Sequence, residues 1–473
     1  MRLNLTTVTT LVIALFVLHD TLSAQVLPID SAKQSFQDSI RARIIASSLD
    51  TAKSTAPRPD EKKNTLNISV DMRMRSEIRH GYRVIPKEDT SAAFFINQRT
   101  RLNFDFKTKR FDFWASLQDT RVWGQQDPRE GQGTATPTDS TTYPLYLYEI
   151  YAEPHFNDKW SIRIGRQRIM YDNQRLFAEN DWRLPANSHD AVRLIYNNKI
   201  NFTTEFIAAY NQYGENSFTT NYKTVGFTNY KNLFVNYLNW KMNKNFTFTT
   251  INAADGYQSS KVATKTFERY TSGGRIEYAS YNWYLTFSGY YQYGKDSTGK
   301  KLGAYYYQPE IRYTGMRNVT FRLGMEYMSG QDSSLHLLKN KSFVPLYGVA
   351  HRFMGTMDVF DTPSDFNNAG IINPYFFIWW AKNKWAWRFD QHLFYSQARF
   401  LNKGEQLDRY LGYEFDVRMN YKPVPFIDIE SGVSWASFTK AATVIKKGGD
   451  IKAIPYWYYL SVRFTPTLLK FSF

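Results

Sequence analysis

The chain has 473 residues, with 59 Lys and Arg against 43 Asp and Glu, a formal net charge of +16, and 17% Phe, Tyr and Trp. Its mean hydropathy is −0.50, so the chain is polar and aromatic at once, an unusual pairing for a soluble domain. Cysteine is absent, which excludes a disulfide scaffold, a thiolate zinc site, a catalytic cysteine and a Cys-anchored lipoprotein.

Residues 1–24 carry one early basic residue, Arg2, then an apolar run from Leu11 to Leu18, then Leu22-Ser23-Ala24. A short apolar stretch closed by small residues predicts a secretory signal peptide cleaved after Ala24; a buried helix is the alternative. No later window offers the ~20 apolar residues that a membrane-spanning helix requires. If the mature chain crosses a membrane, it crosses with strands. Residues 25–64 are polar and end near Pro57 and Pro59, which predicts a disordered periplasmic leader. Ala32, Phe36, Ile40 and Ile44 leave a short amphipathic helix as the other reading.

From Thr65 onward the dominant period is two. Leu66, Ile68, Val70, Met72 and Met74 alternate with Asn67, Ser69, Asp71, Arg73 and Arg75. Leu411 to Tyr421 and Val319 to Tyr327 repeat the pattern, giving strands with one apolar and one charged face. Strands are expected at 65–78, 93–108, 111–123, 143–155, 160–169, 189–196, 201–211, 231–241 and 246–256. Nine more are expected at 268–279, 283–294, 303–314, 319–329, 369–381, 385–399, 408–421, 426–438 and 455–465. Connections of two to four residues alternate with connections of 8 to 39 residues. Short turns on one side, long loops on the other and an even strand number describe an outer-membrane barrel. The expected fold is therefore all-β, a transmembrane antiparallel up-and-down β-barrel of about 18 strands filling residues 65–473. Trp160, Trp283, Trp385, Trp387, Trp435 and Trp457 are assigned to the apolar faces, many beside strand ends, as an aromatic girdle requires. Aromatic core packing is the competing explanation for these rings.

The other face then lines the lumen. Its candidate pore-lining and ligand-binding residues are Arg73, Arg75, Arg99, Arg101, Arg163, Arg193, Arg322, Arg388 and Arg418, with Arg352 from the longest loop. Guanidinium groups bind carboxylates and phosphates bidentately, so an excess of them favours anions. Acids such as Asp71, Glu77, Glu149, Glu205, Glu310, Asp390, Glu414 and Asp416 interleave, and cross-strand pairing that stiffens the wall is the alternative role for each Arg. The longest connection, 330–368, holds Phe343, Leu346, Tyr347, Phe353, Met354, Met357, Val359 and Phe360. So much apolar surface predicts that 343–360 folds into the barrel mouth with Arg352 near the constriction; an external cap is the alternative.

No His-x-x-x-His pair, Gly-x-Ser-x-Gly elbow or phosphate-binding glycine loop occurs, so no catalytic residue, metal site or cofactor is assigned. Basic residues alternate with acids in an exported chain, which argues against nucleic acid.

Several stretches resemble the alginate-export porin family. They are Arg73-Met74-Arg75, Gln98-Arg99-Thr100-Arg101, Gln118 to Gly124, Gly165 to Leu176, Asp181-Trp182-Arg183, His189 to Leu194 and Phe343 to Gly355, placed along about 65–465. The resemblance implies a monomeric eighteen-stranded barrel in the outer membrane of a Gram-negative bacterium, bedded in outer-membrane lipid. Its Arg-rich pore would pass an anionic uronate-type saccharide, with periplasmic export or assembly components as partners. The competing classes are an outer-membrane barrel hydrolase acting on lipid or polysaccharide and a soluble exported all-β carbohydrate-binding protein. The terminal Phe471 and Phe473 resemble an outer-membrane assembly signal. Pro466 interrupts the ladder before them, leaving open whether 465–473 pairs as strand.

Overall fold

The computed structural model describes residues 64–473 apart from 124–144, 219, 221, 223–228, 260, 261, 263, 333–338 and 362. The expected signal peptide and nearly all of the expected leader lie outside the described residues. Strands form where the period-two pattern placed them. The first six are β1 (Thr65–His80), β2 (Ala93–Lys107), β3 (Phe111–Val122), β4 (Leu145–Pro154), β5 (Trp160–Gln167) and β6 (His189–Asn197). Next come β7 (Phe202–Tyr210), β8 (Asn232–Lys241), β9 (Phe246–Gln258), β10 (Thr266–Ser280), β11 (Trp283–Lys295) and β12 (Lys301–Met316). The last six are β13 (Val319–Met328), β14 (Ile371–Lys382), β15 (Trp385–Ser396), β16 (Tyr410–Tyr421), β17 (Ile427–Phe438) and β18 (Tyr456–Phe464).

Each strand runs antiparallel to its neighbours in chain order. β18 then pairs with β1, from Met72↔Phe464 to His80↔Tyr456, and closes the sheet. Closure removes the free edges that an open sheet would present. The upper half of β1 thus has a partner, but β18 ends at Phe464. Pro466 has no N–H to donate, yet the ladder keeps its register across it, from Met72↔Phe464 to Ser69↔Thr467, and shifts by one residue beyond it, at Leu468. A short strand, β19 (Thr467–Ser472), continues along β1 as far as Thr65↔Ser472, and Val70 N–H reaches the Pro466 carbonyl at 3.0 Å. The terminal segment therefore pairs as strand.

Side chains alternate between the two faces except at bulges, such as the one where Tyr148 and Glu149 of β4 are both buried. Along β11, Trp283, Leu285 and Phe287 point outward and are exposed, while Tyr284, Thr286 and Ser288 are buried on the inside. Trp160–Tyr196, Phe246–Tyr278 and Trp283–Tyr313 meet as tilted ring pairs and Trp385–Tyr421 as a stacked one at the rim formed by the short turns. Tyr270, Tyr291, Tyr293, Tyr305, Tyr307 and Tyr327 cluster toward the rim that carries the long loops. One girdle is rich in Trp and the other in Tyr, as amphipathic rings at two headgroup levels require. Trp457 departs from its expected place. It lies on the inner face, buried, with its indole N–H donating to Glu77 at 2.9 Å. The phase of β18 explains the difference, because Tyr456, Tyr458 and Leu460 take the outward positions.

A cation on the outward face near mid-strand is expected to cost about 2–4 kcal/mol in a bilayer. Phe287→Arg should lower barrel stability in lipid vesicles by that amount, and Phe287→Leu by much less, measured by urea titration of tryptophan fluorescence. Equal stabilities for the two variants would place Phe287 away from lipid.

Candidate functional site

Two long connections fold inward and pair with each other. In 168–188 and 340–361, Tyr347 N–H donates to Leu176 O at 2.9 Å, Ala178 N–H to Tyr347 O at 3.2 Å and Val349 N–H to Gln174 O at 3.0 Å. Phe343, Leu346, Tyr347, Phe353, Met354, Met357, Val359 and Phe360 are all buried there, as their apolar character required. The pair is tied to the inner wall on several strands. Tyr171 donates to Glu205 of β7 at 2.6 Å, Tyr347 to Asp255 of β9 at 2.7 Å, and the Met357 N–H to Glu414 of β16 at 2.8 Å. Arg175 forms a fork on Glu326 of β13, at 2.7 and 3.3 Å, and also donates to the Val349 carbonyl. Gly355, at φ +82°, lies where a Cβ would meet the Glu414 carboxylate at 2.5 Å. Only glycine fits so close an approach in that backbone region. The segment 343–360 thus packs against the inward-facing side of the wall, and the external cap is set aside.

The same inward path delivers a carboxylate to the arginines of β1 and β2. These strands pair in register Arg73↔Arg99 and Asp71↔Arg101. Asp181 accepts from Arg99 at 2.7 Å and Arg101 at 2.8 Å. Arg73 and Arg75 donate to the carbonyls of Asp181 to Arg183, and Arg75 lies over the Trp182 ring at 4.1 Å. Arg463 of β18 bridges Asp71 at 2.6 Å and approaches Asp181 at 3.6 Å. Burial pushes the Asp181 carboxyl up, but Arg99, Arg101, Arg463 and Arg73 outweigh burial and hold it well below the usual carboxylate range. Five guanidinium groups (Arg75, Arg79, Arg99, Arg101 and Arg463) share Asp71, Glu77 and Asp181, and Arg73 beside them bonds backbone carbonyls alone. Arg99 Nε and Nη2 and Arg101 Nη2 are buried donors without a hydrogen-bond acceptor. Cation is in excess here.

Elsewhere the expected arginines face inward but are matched by acids. Arg163 pairs with Glu153 at 2.6 Å, Arg193 with Glu205 at 2.6 Å and Arg322 with Glu310 at 2.5 Å. Arg388 pairs with Asp390 at 2.5 Å, while Arg418 is 3.9 Å from Glu430. Arg322 and Arg388 also lie over the Phe377 ring, each at 4.9 Å. Arg352 is half-buried in the inner segment. The lumen is therefore not uniformly basic. The expected single set of arginines divides into a cation-rich cluster on β1, β2 and β18 and smaller groups around the remaining wall, near-neutral at Arg163 and Arg193 but with Arg312 and Arg322 sharing one carboxylate at Glu310.

The alginate-export family profile matches residues 64–363, well over half of the chain. The chain belongs to the alginate-export family. The match ends short of the expected 465, so β14 to β18 lie beyond it. The family blocks seen in the sequence coincide with the inner architecture. Gly165 to Leu176 runs from β5 into the first inward segment, Asp181 to Arg183 caps the arginine cluster, and Phe343 to Gly355 is the second inward segment. Among solved structures, Acinetobacter baumannii OccAB1 superposes with a TM-score of 0.59 at 12% identity, covering 85% of this chain and 97% of its own. Acinetobacter baumannii OccAB4 gives 0.59 at 12% identity with coverage of 88% and 100%, and Pseudomonas aeruginosa OpdK, solved with vanillate, gives 0.54 at 9% with coverage of 85% and 99%. These neighbours are outer-membrane porins and share the barrel fold. No curated protein sequence matches the chain.

Sequence reasoning missed Asp181, Arg175 and Arg463. Asp181 and Arg175 sit in an irregular segment where no period reveals direction, although both fall within family-matching blocks. Arg463 shares the inward phase of Trp457, Tyr459 and Ser461, and was hidden by placing Trp457 outward.

Arg175 and Glu326 are almost fully buried. Removing one partner of such a pair strands a charge and costs about 3–5 kcal/mol. Arg175→Met should destabilise the detergent-folded barrel by that order in a guanidinium titration, and a loss below about 1 kcal/mol would mean that the pair does not anchor the inner segments.

Proposed function

We propose that this barrel is a passive, non-enzymatic porin of the Gram-negative outer membrane that passes anionic saccharides of the uronate, alginate-like type. The observation that carries the reading is the carboxylate of Asp181 on Arg99 and Arg101. A wall that already binds one carboxylate, with further buried guanidinium donors and cation in excess, has the chemistry to bind the carboxylate of a uronate. Charges in a confined, poorly screened passage select by sign. Family membership supports transport of a uronate polymer, and the outward apolar band with its two girdles supports a surrounding annulus of outer-membrane lipid. In this reading Asp181 occupies the position that a permeant carboxylate takes in turn. The near-neutral pairs at Arg163 and Arg193 hold the wall rigid and contribute little to selectivity.

Proteoliposomes should swell faster in an oligouronate than in a neutral oligosaccharide of equal length, and the difference should shrink severalfold in Arg99→Ala/Arg101→Ala. Equal rates for the two sugars in the native barrel would contradict the proposal. Deleting 343–360 should raise single-channel conductance, because that segment packs on the inner wall; an intact deletion variant with native conductance would place it outside the permeation path.

A further inference from the structure

We propose that Asp390, His392 and Asp416 form a binding site for a divalent transition-metal ion on the inner wall. β15 and β16 pair with Asp390 opposite Asp416 and His392 opposite Glu414, so an i, i+2 spacing on each strand sets four potential ligands in a square facing the lumen. One ligand atom each from Asp390, His392 and Asp416 lies within 4.8 Å of the others, and all three residues are buried.

The hydrogen bonds around the square fix the imidazole. Asn373 donates its amide N–H to the Phe353 carbonyl at 2.6 Å, so its Oδ1 is an acceptor. His392 Nδ1 faces that oxygen at 3.2 Å and must carry the proton. In the neutral ring the lone pair then belongs to Nε2, which faces Asp416 Oδ2 at 3.9 Å. Two acceptors thus face each other, and the donor that reaches Oδ2 is the Thr356 N–H at 3.3 Å, from the inner segment and not from the imidazole. Two ligands bound at 2.0–2.2 Å to one ion lie about 3.4 Å apart, so the His392–Asp416 pair needs a closure of roughly 0.5 Å. Asp390 supplies the independent sign. Its Oδ2 takes Arg388 at 2.5 Å, but its Oδ1 is buried without a hydrogen-bond partner. Glu414 Oε2, at the diagonal position of the square, is likewise buried without a hydrogen-bond partner. Arg388 is ion-paired with Asp390, one of the three carboxylates on the square.

One imidazole and two carboxylates suit Zn²⁺, Mn²⁺ or Fe²⁺ better than Ca²⁺ or Mg²⁺, which take oxygen ligands. Asn373 is a positioning residue, because its Oδ1 selects the tautomer. The site also touches the inner segment. Thr356 donates its hydroxyl to Asp416 at 2.5 Å and Met357 its N–H to Glu414 at 2.8 Å. A bound ion would therefore tighten the 343–360 segment against the wall.

The test uses the full chain, folded in detergent, stripped with chelator and titrated with Zn²⁺ and separately with Mn²⁺ by calorimetry, with metal content read by mass spectrometry. We expect one ion per barrel and a higher unfolding temperature on loading. His392→Gln and Asp390→Asn should each lower affinity at least tenfold, and Asn373→Ala about 10–100-fold. Heat-modifiable migration identifies the variants that fold, and any one of them that folds suffices. If the native barrel takes up neither ion, or if folded variants bind as the native chain does, the proposal is overturned and the square instead shares a proton.

Discussion

With Phe, Leu and Trp covering the outside of a closed sheet, charged residues in the middle of the strands turn inward, and those left outside, such as Arg121 with Asp119, pair near the strand ends. Charge neutralisation inside is the constraint on which the rest of the structure depends. A buried guanidinium without a carboxylate is too costly to keep, so the wall alternates Arg and acid across neighbouring strands, as in Arg193 with Glu205 and Arg322 with Glu310. At β1, β2 and β18 the strands supply more cation than acid. There the deficit is met partly by a carboxylate imported on a loop, Asp181.

That import explains why two long connections leave solvent for the interior. Their apolar residues bury one another, their backbones pair, and their polar atoms complete the wall: Arg175 answers Glu326, Tyr347 answers Asp255 and the Met357 N–H answers Glu414. The inner segments are thus part of the electrostatics of the wall, and their position sets which arginines remain available to a permeant. The cation-rich cluster lies beneath one segment, whereas the arginines over Phe377 pair with acids of the wall, Arg322 with Glu310 of β12 and Arg388 with Asp390 of β15.

The barrel was legible because strand periodicity is a direct consequence of a two-faced sheet. Thr65, Trp160, His189, Trp283, Val319 and Trp385 each begin a strand where the alternation of the sequence placed it. The inward fold of 343–360 was legible for a different reason, since eight large apolar residues in one loop must be buried somewhere. Which arginines keep surplus charge was not legible. That depends on a contact between Asp181 and strands some eighty residues away, and no local pattern encodes a partner at such separation. Trp457 was misplaced because Tyr and Trp alternate with each other at the start of β18, so hydropathy carries no phase there. His392 escaped notice as a ligand because its companions lie at strand spacing and across the sheet, outside any compact motif.

The central claim, a pore whose sign preference is set by the β1–β2–β18 arginine cluster, is tested most directly by the reversal potential of single channels in a planar bilayer under a potassium chloride gradient. The account predicts a potential displaced toward the chloride equilibrium value in the native barrel and moved toward the potassium value in Arg99→Ala/Arg101→Ala, with Arg163→Ala shifting it far less. A native barrel that favours potassium, or one whose potential is unmoved by loss of Arg99 and Arg101, would contradict it.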